Sequence, residues 1–216
     1  AAVGFFNGTV SARLGIAPFI VTLGTMLIAR GLAEGLADET VVRTSDNVLK
    51  TLMMRQPQPR WLLVAPGVWV MLALLGGMVV VMHYTVFGRY IYALGSNEQA
   101  ARYSGIKVAK SRVAIFTIAG ALFGLAGVMS YAEIGDGDPT TAVALELDII
   151  AAVVIGGASL AGGRGTPGGS IVGALIITLL YNGCVMLGVD DWVQKVLIGG
   201  IIVAAVWVDG IRSKRS

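Results

Sequence analysis

Two stretches, Leu62–Met82 and Val113–Ala132, contain no Asp, Glu, Lys or Arg. Each is about as long as a bilayer is thick, since a hydrocarbon core of about 30 Å takes roughly 20 apolar residues at about 1.5 Å each. Backbone polar groups in lipid must be satisfied internally, which restricts such stretches to helices or closed barrels. The composition fits the same environment. The chain is 56% hydrophobic and only 13% charged, with a mean hydropathy of +0.79, whereas soluble domains carry about 25% charged residues. There is too little polar surface here to cover a core in water. The expected fold is all-α, a polytopic transmembrane helical bundle.

The pattern places about six crossings: Leu14–Ala29, Leu62–Met82, Val113–Ala132, Ile149–Gly163, Gly168–Gly188 and Val196–Val208. The fourth is short and ends in glycines, which makes it a candidate for a broken or re-entrant helix. Backbone of that kind is tolerated only where protein or a water-filled cavity covers it. The 30–61 segment is mixed in charge and holds Pro57 and Pro59, so it is expected to be an external loop, with a short helix near Ser45–Met54.

Charge distribution sets the orientation, because cytoplasmic loops carry an excess of Lys and Arg. One side holds Arg13, Arg89, Arg102, Lys107, Lys110, Arg112, Arg164, Arg212, Lys214 and Arg215 against only Glu98 and Asp209. The other side holds six basic residues against eleven acids, and its 133–148 loop has five acids and no base. The basic side is expected to be cytoplasmic, with both ends of the chain on it and the protein multi-pass in the inner (plasma) membrane. Trp61, Tyr131 and Trp192 then fall at outer span ends, and Tyr84 and Trp207 at inner ends, where interfacial rings are favoured.

Several function classes drop out. Nucleic-acid binding needs a basic face on a folded domain, and no such domain is present. One His and one Cys cannot complete a tetrahedral zinc site, and no metal or cofactor is expected. Gly163-Arg164-Gly165-Thr166-Pro167-Gly168 fits G-x-G-x-x-G and nearly fits a phosphate loop, but Gly169 stands where Lys belongs. Both motifs need a strand, turn and helix in water, so the stretch is better explained as a break between helices, and the chain is not expected to hydrolyse ATP itself. Cys184 suits a small apolar filler, His83 an interfacial position, and Asn7-Gly8-Thr9 is a chance match to a glycosylation acceptor on the expected inner side.

The most distinctive polar segment is Gly95-Ser96-Asn97-Glu98-Gln99-Ala100-Ala101-Arg102-Tyr103-Ser104-Gly105-Ile106. Ser96 with Gln99 three residues later matches a capping box, and Gly105 can take the left-handed stop position. A helix of about two turns, roughly 12–14 Å, is expected between them. Ala100 and Ala101 offer a low-relief face, and Glu98 and Arg102 share a side. Such a knob suits docking into a partner's groove, or an ordinary interfacial loop.

The run Phe87-Gly88-Arg89-Tyr90-Ile91-Tyr92-Ala93-Leu94 leading into Gly95–Ile106 strongly resembles permease subunits of ATP-binding cassette importers of the ribose/xylose/arabinose type. Glu146-Leu147-Asp148-Ile149-Ile150-Ala151-Ala152-Val153-Val154-Ile155-Gly156-Gly157-Ala158-Ser159-Leu160-Ala161-Gly162-Gly163-Arg164-Gly165 and Pro18-Phe19-Ile20-Val21-Thr22-Leu23-Gly24-Thr25 resemble the same family. The resemblance covers nearly the whole chain. Family permeases usually extend further at the N-terminus, so residues 1–216 are expected to be one transmembrane permease domain, N-terminally incomplete. The resemblance implies that the 95–106 loop is a cytoplasmic coupling segment. Ser96, Asn97, Glu98, Gln99, Ala100, Ala101, Arg102 and Gly105 would then contact an ATP-binding subunit. The family commonly shows Gly-Gly-Asn-Glu where this chain has Gly95-Ser96-Asn97-Glu98. It further implies a periplasmic or extracellular solute-binding protein and a second permease subunit, identical or related.

Polar residues inside the spans are candidates for a translocation path: Thr22, Thr25, Thr117, Thr178 and Asn182. They serve equally for hydrogen bonds between helices, worth about 0.6–2 kcal/mol. Gly120 with Gly124, and Gly169 with Gly173, have the small-residue spacing that lets helices approach closely. The main rival to an ATP-driven importer is an ion-coupled secondary carrier. Such carriers place Asp, Glu or His deep in the membrane at about 2.5–3.5 kcal/mol or more each, and the last five expected crossings contain none. A membrane scaffold that transports nothing is a second rival.

Overall fold

The structure, a computed structural model, describes residues 1–38, 40–43, 64–143 and 145–214. Among these, the helices are α1 (Ala2–Leu14), α2 (Pro18–Leu36), α3 (Pro66–Tyr84), α4 (Val86–Ser96), α5 (Glu98–Tyr103), α6 (Val108–Ile134), α7 (Leu145–Ile155), α8 (Pro167–Met186) and α9 (Asp191–Lys214). Two two-residue strands, β1 (Val42–Arg43) and β2 (Asp136–Gly137), pair antiparallel with Val42 opposite Gly137. Four helices, α2, α3, α6 and α8, are long and apolar enough to cross a membrane, and α9 contributes a shorter apolar stretch, Trp192–Trp207. Their outer surfaces carry large apolar side chains: Phe19 is 66% exposed, Phe123 69% and Leu179 69%. That is costly in water and natural in lipid. The chain is a helical polytopic membrane protein. The expected Ser45–Met54 helix and Trp61 lie outside the described residues.

The chain divides into two units, Ala1–Leu74 with Gly105–Thr141, and Leu75–Ser104 with Ala142–Ser216. In the first, α1 packs along α6. The buried residues of α1 are Gly4, Asn7, Gly8 and Ser11. A Cβ on Gly8 would meet Val113 Cα at 2.8 Å, and one on Gly120 would meet Gly4 Cα at 2.8 Å. Small residues bring the two backbones together here, as is usual where lipid removes the hydrophobic drive between helices. The expected Leu14–Ala29 crossing is therefore corrected. Gly15 ends α1 in the left-handed region at φ 65°, Ala17 is extended ahead of a proline, and Pro18 opens α2. A glycine stop followed by a proline start is the usual boundary between two helices. The 13-residue α1 escapes a hydropathy reading because its polar and small residues are the ones that pack.

In the second unit, α7 lies against α8, and α9 packs on both. Ala151, Ala152 and Ile177 form the buried centre, with Ile155, Tyr181 and Ile202 packed around it. Gly156 and Gly169 face each other so closely that a Cβ on either would run into the other's carbonyl oxygen, and a Cβ on Gly173 would run into the Ala152 carbonyl. Of the two glycine pairs expected to mediate packing, Gly169 with Gly173 does so. Gly120 instead packs on Gly4, while Gly124 has open space around it.

The expected crossing Ile149–Gly163 is also corrected. α7 runs from Leu145 to Ile155, 11 residues, about 16 Å at 1.5 Å per residue. That is roughly half a hydrocarbon core. The chain leaves helical geometry at Gly157, where φ is 89°, and the glycines that follow hold a turn rather than a span. The acids of the expected 133–148 loop are redistributed accordingly: Glu146 and Asp148 sit in the first turn of α7.

Candidate functional site

The segment after α3 is built by a succession of caps. Thr85 stands between α3 and α4, donating from Oγ1 to the Val81 carbonyl at 2.6 Å and accepting from Gly88 N at 3.1 Å. Gly88 fits the turn because a Cβ there would collide with the Val81 and Met82 carbonyls. α4 then runs to Ser96. Asn97 breaks it in an extended conformation, φ −157° and ψ 105°, and its Oδ1 accepts from Ala100 N at 3.0 Å to start α5. The expected Ser96/Gln99 capping box is replaced by a single cap: Ser96 is the last residue of α4, and Asn97 caps α5, with Ala100 at the third helical position unable to reach back. Asparagine caps as well as serine, and its position one residue later leaves Ser96 within α4.

α5 is six residues long, about 9 Å. It stops as expected, with Ser104 N donating to the Ala100 carbonyl at 3.0 Å and Gly105 in the left-handed region at φ 84°. Arg102 Nη2 lies 3.8 Å from Glu98 Oε1 across one turn of the surface, a pairing worth about 0.3–0.5 kcal/mol at an exposed site. Gln99, Ala100, Arg102 and Tyr103 point outward, while Ala101 is buried. The low-relief face is thus Ala100 alone. Tyr103 is 89% exposed. Composition offered no reason to single it out, but an exposed tyrosine beside an exposed arginine on a short rigid helix has the chemistry of an interface anchor.

Behind α5 lies the glycine-rich turn between α7 and α8. A Cβ on Gly95 would meet Gly163 N at 2.5 Å, and one on Gly163 would meet Ser96 Cα at 2.8 Å. Tyr92 Oη donates to the Gly165 carbonyl at 2.7 Å. The stretch that mimics a nucleotide-binding motif is thus a packing turn against the root of α5. Its glycines serve positive φ and close backbone approach, which G-x-G spacing alone does not distinguish from phosphate binding.

The candidate path residues fall on three helices, two in the first unit and one in the second. Thr22 and Thr25 are on α2, Thr117 on α6, and Thr178 and Asn182 one turn apart on the exposed side of α8. Each threonine hydroxyl donates to a carbonyl of its own helix: Thr22 to Phe19, Thr25 to Val21 and Thr22, Thr117 to Val113, Thr178 to Ala174. Their oxygens retain lone pairs to accept from another group. An open depression of about 870 Å³ at the α8–α9 connection is lined by Val189, Asp190, Trp192, Gln194 and Lys195 among others, and by none of these candidates. A pair that spacing did not flag is Tyr181 with Asp148, whose Oδ2 accepts from the tyrosine hydroxyl at 3.1 Å.

A multi-helix membrane protein with a capped, outward-facing short helix is what the fold and this segment define. Residues 1–206 match the family model described as branched-chain amino acid transport system / permease component, and the chain belongs to that family. It is 39% identical to the ribose import permease protein of Escherichia coli over 209 residues, 97% of this chain and 65% of that protein. It is 37% identical to a probable ABC transporter permease protein of the same organism over 198 residues, 92% of this chain and 58% of the relative. To the xylose transport system permease protein of Escherichia coli it is 44% identical over 151 residues, 70% of this chain and 38% of the relative. The chain spans just under two thirds of the length of the ribose permease. No solved structure matches it.

Proposed function

We propose that the chain is the membrane-spanning permease part of an ATP-driven importer that carries a monosaccharide, or a similar small polar solute, inward by alternating access. The observation that carries this reading is the 39% identity to a ribose import permease along 97% of the chain. The likeness to a xylose permease points to the same solute class, and the likeness to an ABC transporter permease to the energy source. Hydrolysis belongs to separate ATP-binding subunits. A solute-binding protein delivers the sugar from outside, and a second permease copy or relative completes the path.

In this reading α5 is the coupling helix, and residues 95–106 face the cytoplasm. Support comes from its geometry: fixed at both ends by Asn97 and Gly105, it presents Gln99, Ala100, Arg102 and Tyr103 to a partner. Closure of the ATP-binding subunits pulls α5, and the attached spans rotate about a central path on which Thr22, Thr25, Thr117, Thr178 and Asn182 are candidate hydroxyl and amide contacts. A cysteine at Gln99 in the reconstituted transporter should crosslink to the ATP-binding subunit, with a yield that changes when ATP binds. Tyr103→Ala should weaken docking by about 2 kcal/mol, roughly 30-fold, as an interface anchor does, with membrane insertion intact. An absent crosslink together with unchanged docking in Tyr103→Ala would overturn the assignment of α5.

A further inference from the structure

Asp209 lies just beyond the apolar Trp192–Trp207 stretch of α9. Its Oδ2 accepts two hydrogen bonds from the turn between α7 and α8, one from Ser159 Oγ at 3.0 Å and one from Leu160 N at 3.2 Å. Ser159 is the hub of that turn. Its Oγ also accepts from Ala161 N at 3.3 Å, its amide donates to the Arg164 carbonyl at 3.2 Å, and its carbonyl accepts from Gly162 N at 3.1 Å. The far side of the same turn is the part that presses on Gly95 and Ser96. A Cβ on Gly162 would meet Gly95 O at 2.5 Å, and Tyr92 Oη holds the Gly165 carbonyl at 2.7 Å. Gly157, Gly162, Gly163 and Gly165 all have positive φ, from 74° to 139°, so few other sequences would take this path without strain.

Three segments distant in sequence, Tyr92–Ser96, Gly157–Gly165 and Asp209, are therefore joined within one unit of the molecule. The joint that needs bracing is Asn97, a single extended residue connecting α4 to α5. A helix hung on one residue swings when it is pushed. Here the backbone immediately before the hinge is held by backbone, with no side chains between them to change rotamer and absorb a displacement. The hydrogen bonds at the other end of the brace are charge-assisted, about twice as strong as neutral ones.

We propose that Asp209 is a positioning residue for energy coupling: through Ser159 and Leu160 it fixes the α7–α8 turn against Gly95–Ser96, so that displacement of α5 is carried into α7, α8 and α9 instead of being lost at Asn97. This rests on the reading of α5 as the helix that docks on the ATP-binding subunit.

The test uses the intact transporter in proteoliposomes, measuring solute uptake and ATP hydrolysis together in a background carrying the Gln99→Cys crosslinking site. Asp209→Ala should keep the crosslink and the hydrolysis but lower solute moved per ATP by about tenfold, the scale of a lost hydrogen bond to a charged group. Asp209→Asn keeps an oxygen that can accept both donors and should stay within about threefold of the parent, on the smaller scale of a hydrogen bond weakened but not removed. Ser159→Ala, a one-atom change that should not impair insertion, should shift the same ratio in the same direction by less. An unchanged uptake-to-hydrolysis ratio in Asp209→Ala with the crosslink intact overturns the proposal, as does Asp209→Asn failing as badly as Asp209→Ala. If Asp209→Ala does not accumulate in the membrane, an unchanged ratio in Ser159→Ala overturns it. Loss of the crosslink in the parent itself would instead remove the coupling role of α5.

Discussion

At the scale of single residues, the second unit depends on positions where nothing but hydrogen fits. Gly173 is the sharpest case, since an added Cβ would run into the Ala152 carbonyl of α7. Backbone cannot give way as a flexible side chain can. Gly173→Ala should therefore destabilise by about 1–3 kcal/mol, the usual range for overpacking. Gly183→Ala in the same helix, with open space around it, should be near neutral. Thermal unfolding in detergent separates the two. Tyr181→Phe removes the hydroxyl that donates to the half-buried Asp148 and should cost about 0.5–1.5 kcal/mol, the net scale of one hydrogen bond. Four-residue spacing made Gly120/Gly124 and Gly169/Gly173 equal candidates, because it defines a face of a helix without saying what that face meets. The chemistry of Asp209 was equally hidden. A lone acid in a basic tail carries no signal until Ser159, fifty residues earlier, is beside it.

Among the elements, α5 was the most legible, with its stop at Gly105 and its place between two spans evident from the residues. Its start was off by one because Ser96 and Asn97 are both good caps, and only the end of α4 decides between them. Asn97→Ala should weaken the first turn by about 1 kcal/mol, seen as faster hydrogen exchange at the Ala100 amide, whereas Asn97→Asp should not. The α6–α7 connection carries a pH dependence of its own. Asp138 accepts from the Thr140 hydroxyl at 2.6 Å and the Thr140 amide at 2.8 Å, and these bonds hold its carboxyl below the ordinary value of 3.8. A value lower in the folded protein means the turn is stabilised above the unfolded carboxylate range and loses that help as pH falls through the folded value. The Thr140 amide should exchange faster relative to its intrinsic rate near pH 3 than near pH 6, and Asp138→Asn should abolish that difference. The boundaries of α7 were the least legible. Its apolar run continues smoothly into glycines, and hydropathy does not register the change of φ at Gly157.

For the molecule as a whole, membrane residence and the family followed from composition and motifs, while the mode of energy supply follows from neither alone. One argument against an ion-coupled carrier was the absence of acids from the later spans. Asp148 lies in the first turn of the short α7, outside the four span-length helices, so it does not overturn that argument, and the likeness to import permeases adds to it. If the proposed reading holds, proteoliposomes holding this chain alone should not concentrate solute under a proton or sodium gradient, and should do so once the proposed ATP-binding subunits and ATP are added. Accumulation driven by a gradient alone would return the ion-coupled carrier to first place.

The inverted amphipathy of α1 has a practical result. Its Val3, Phe5, Phe6 and Leu14 are all more than half exposed, whereas Gly4, Asn7, Gly8 and Ser11 are sealed against a neighbour. Engineers hoping to toughen the protein by greasing this helix at its polar letters would be prying open a seam. The letters open to revision are the oily ones facing outward, where one large apolar group can stand in for another.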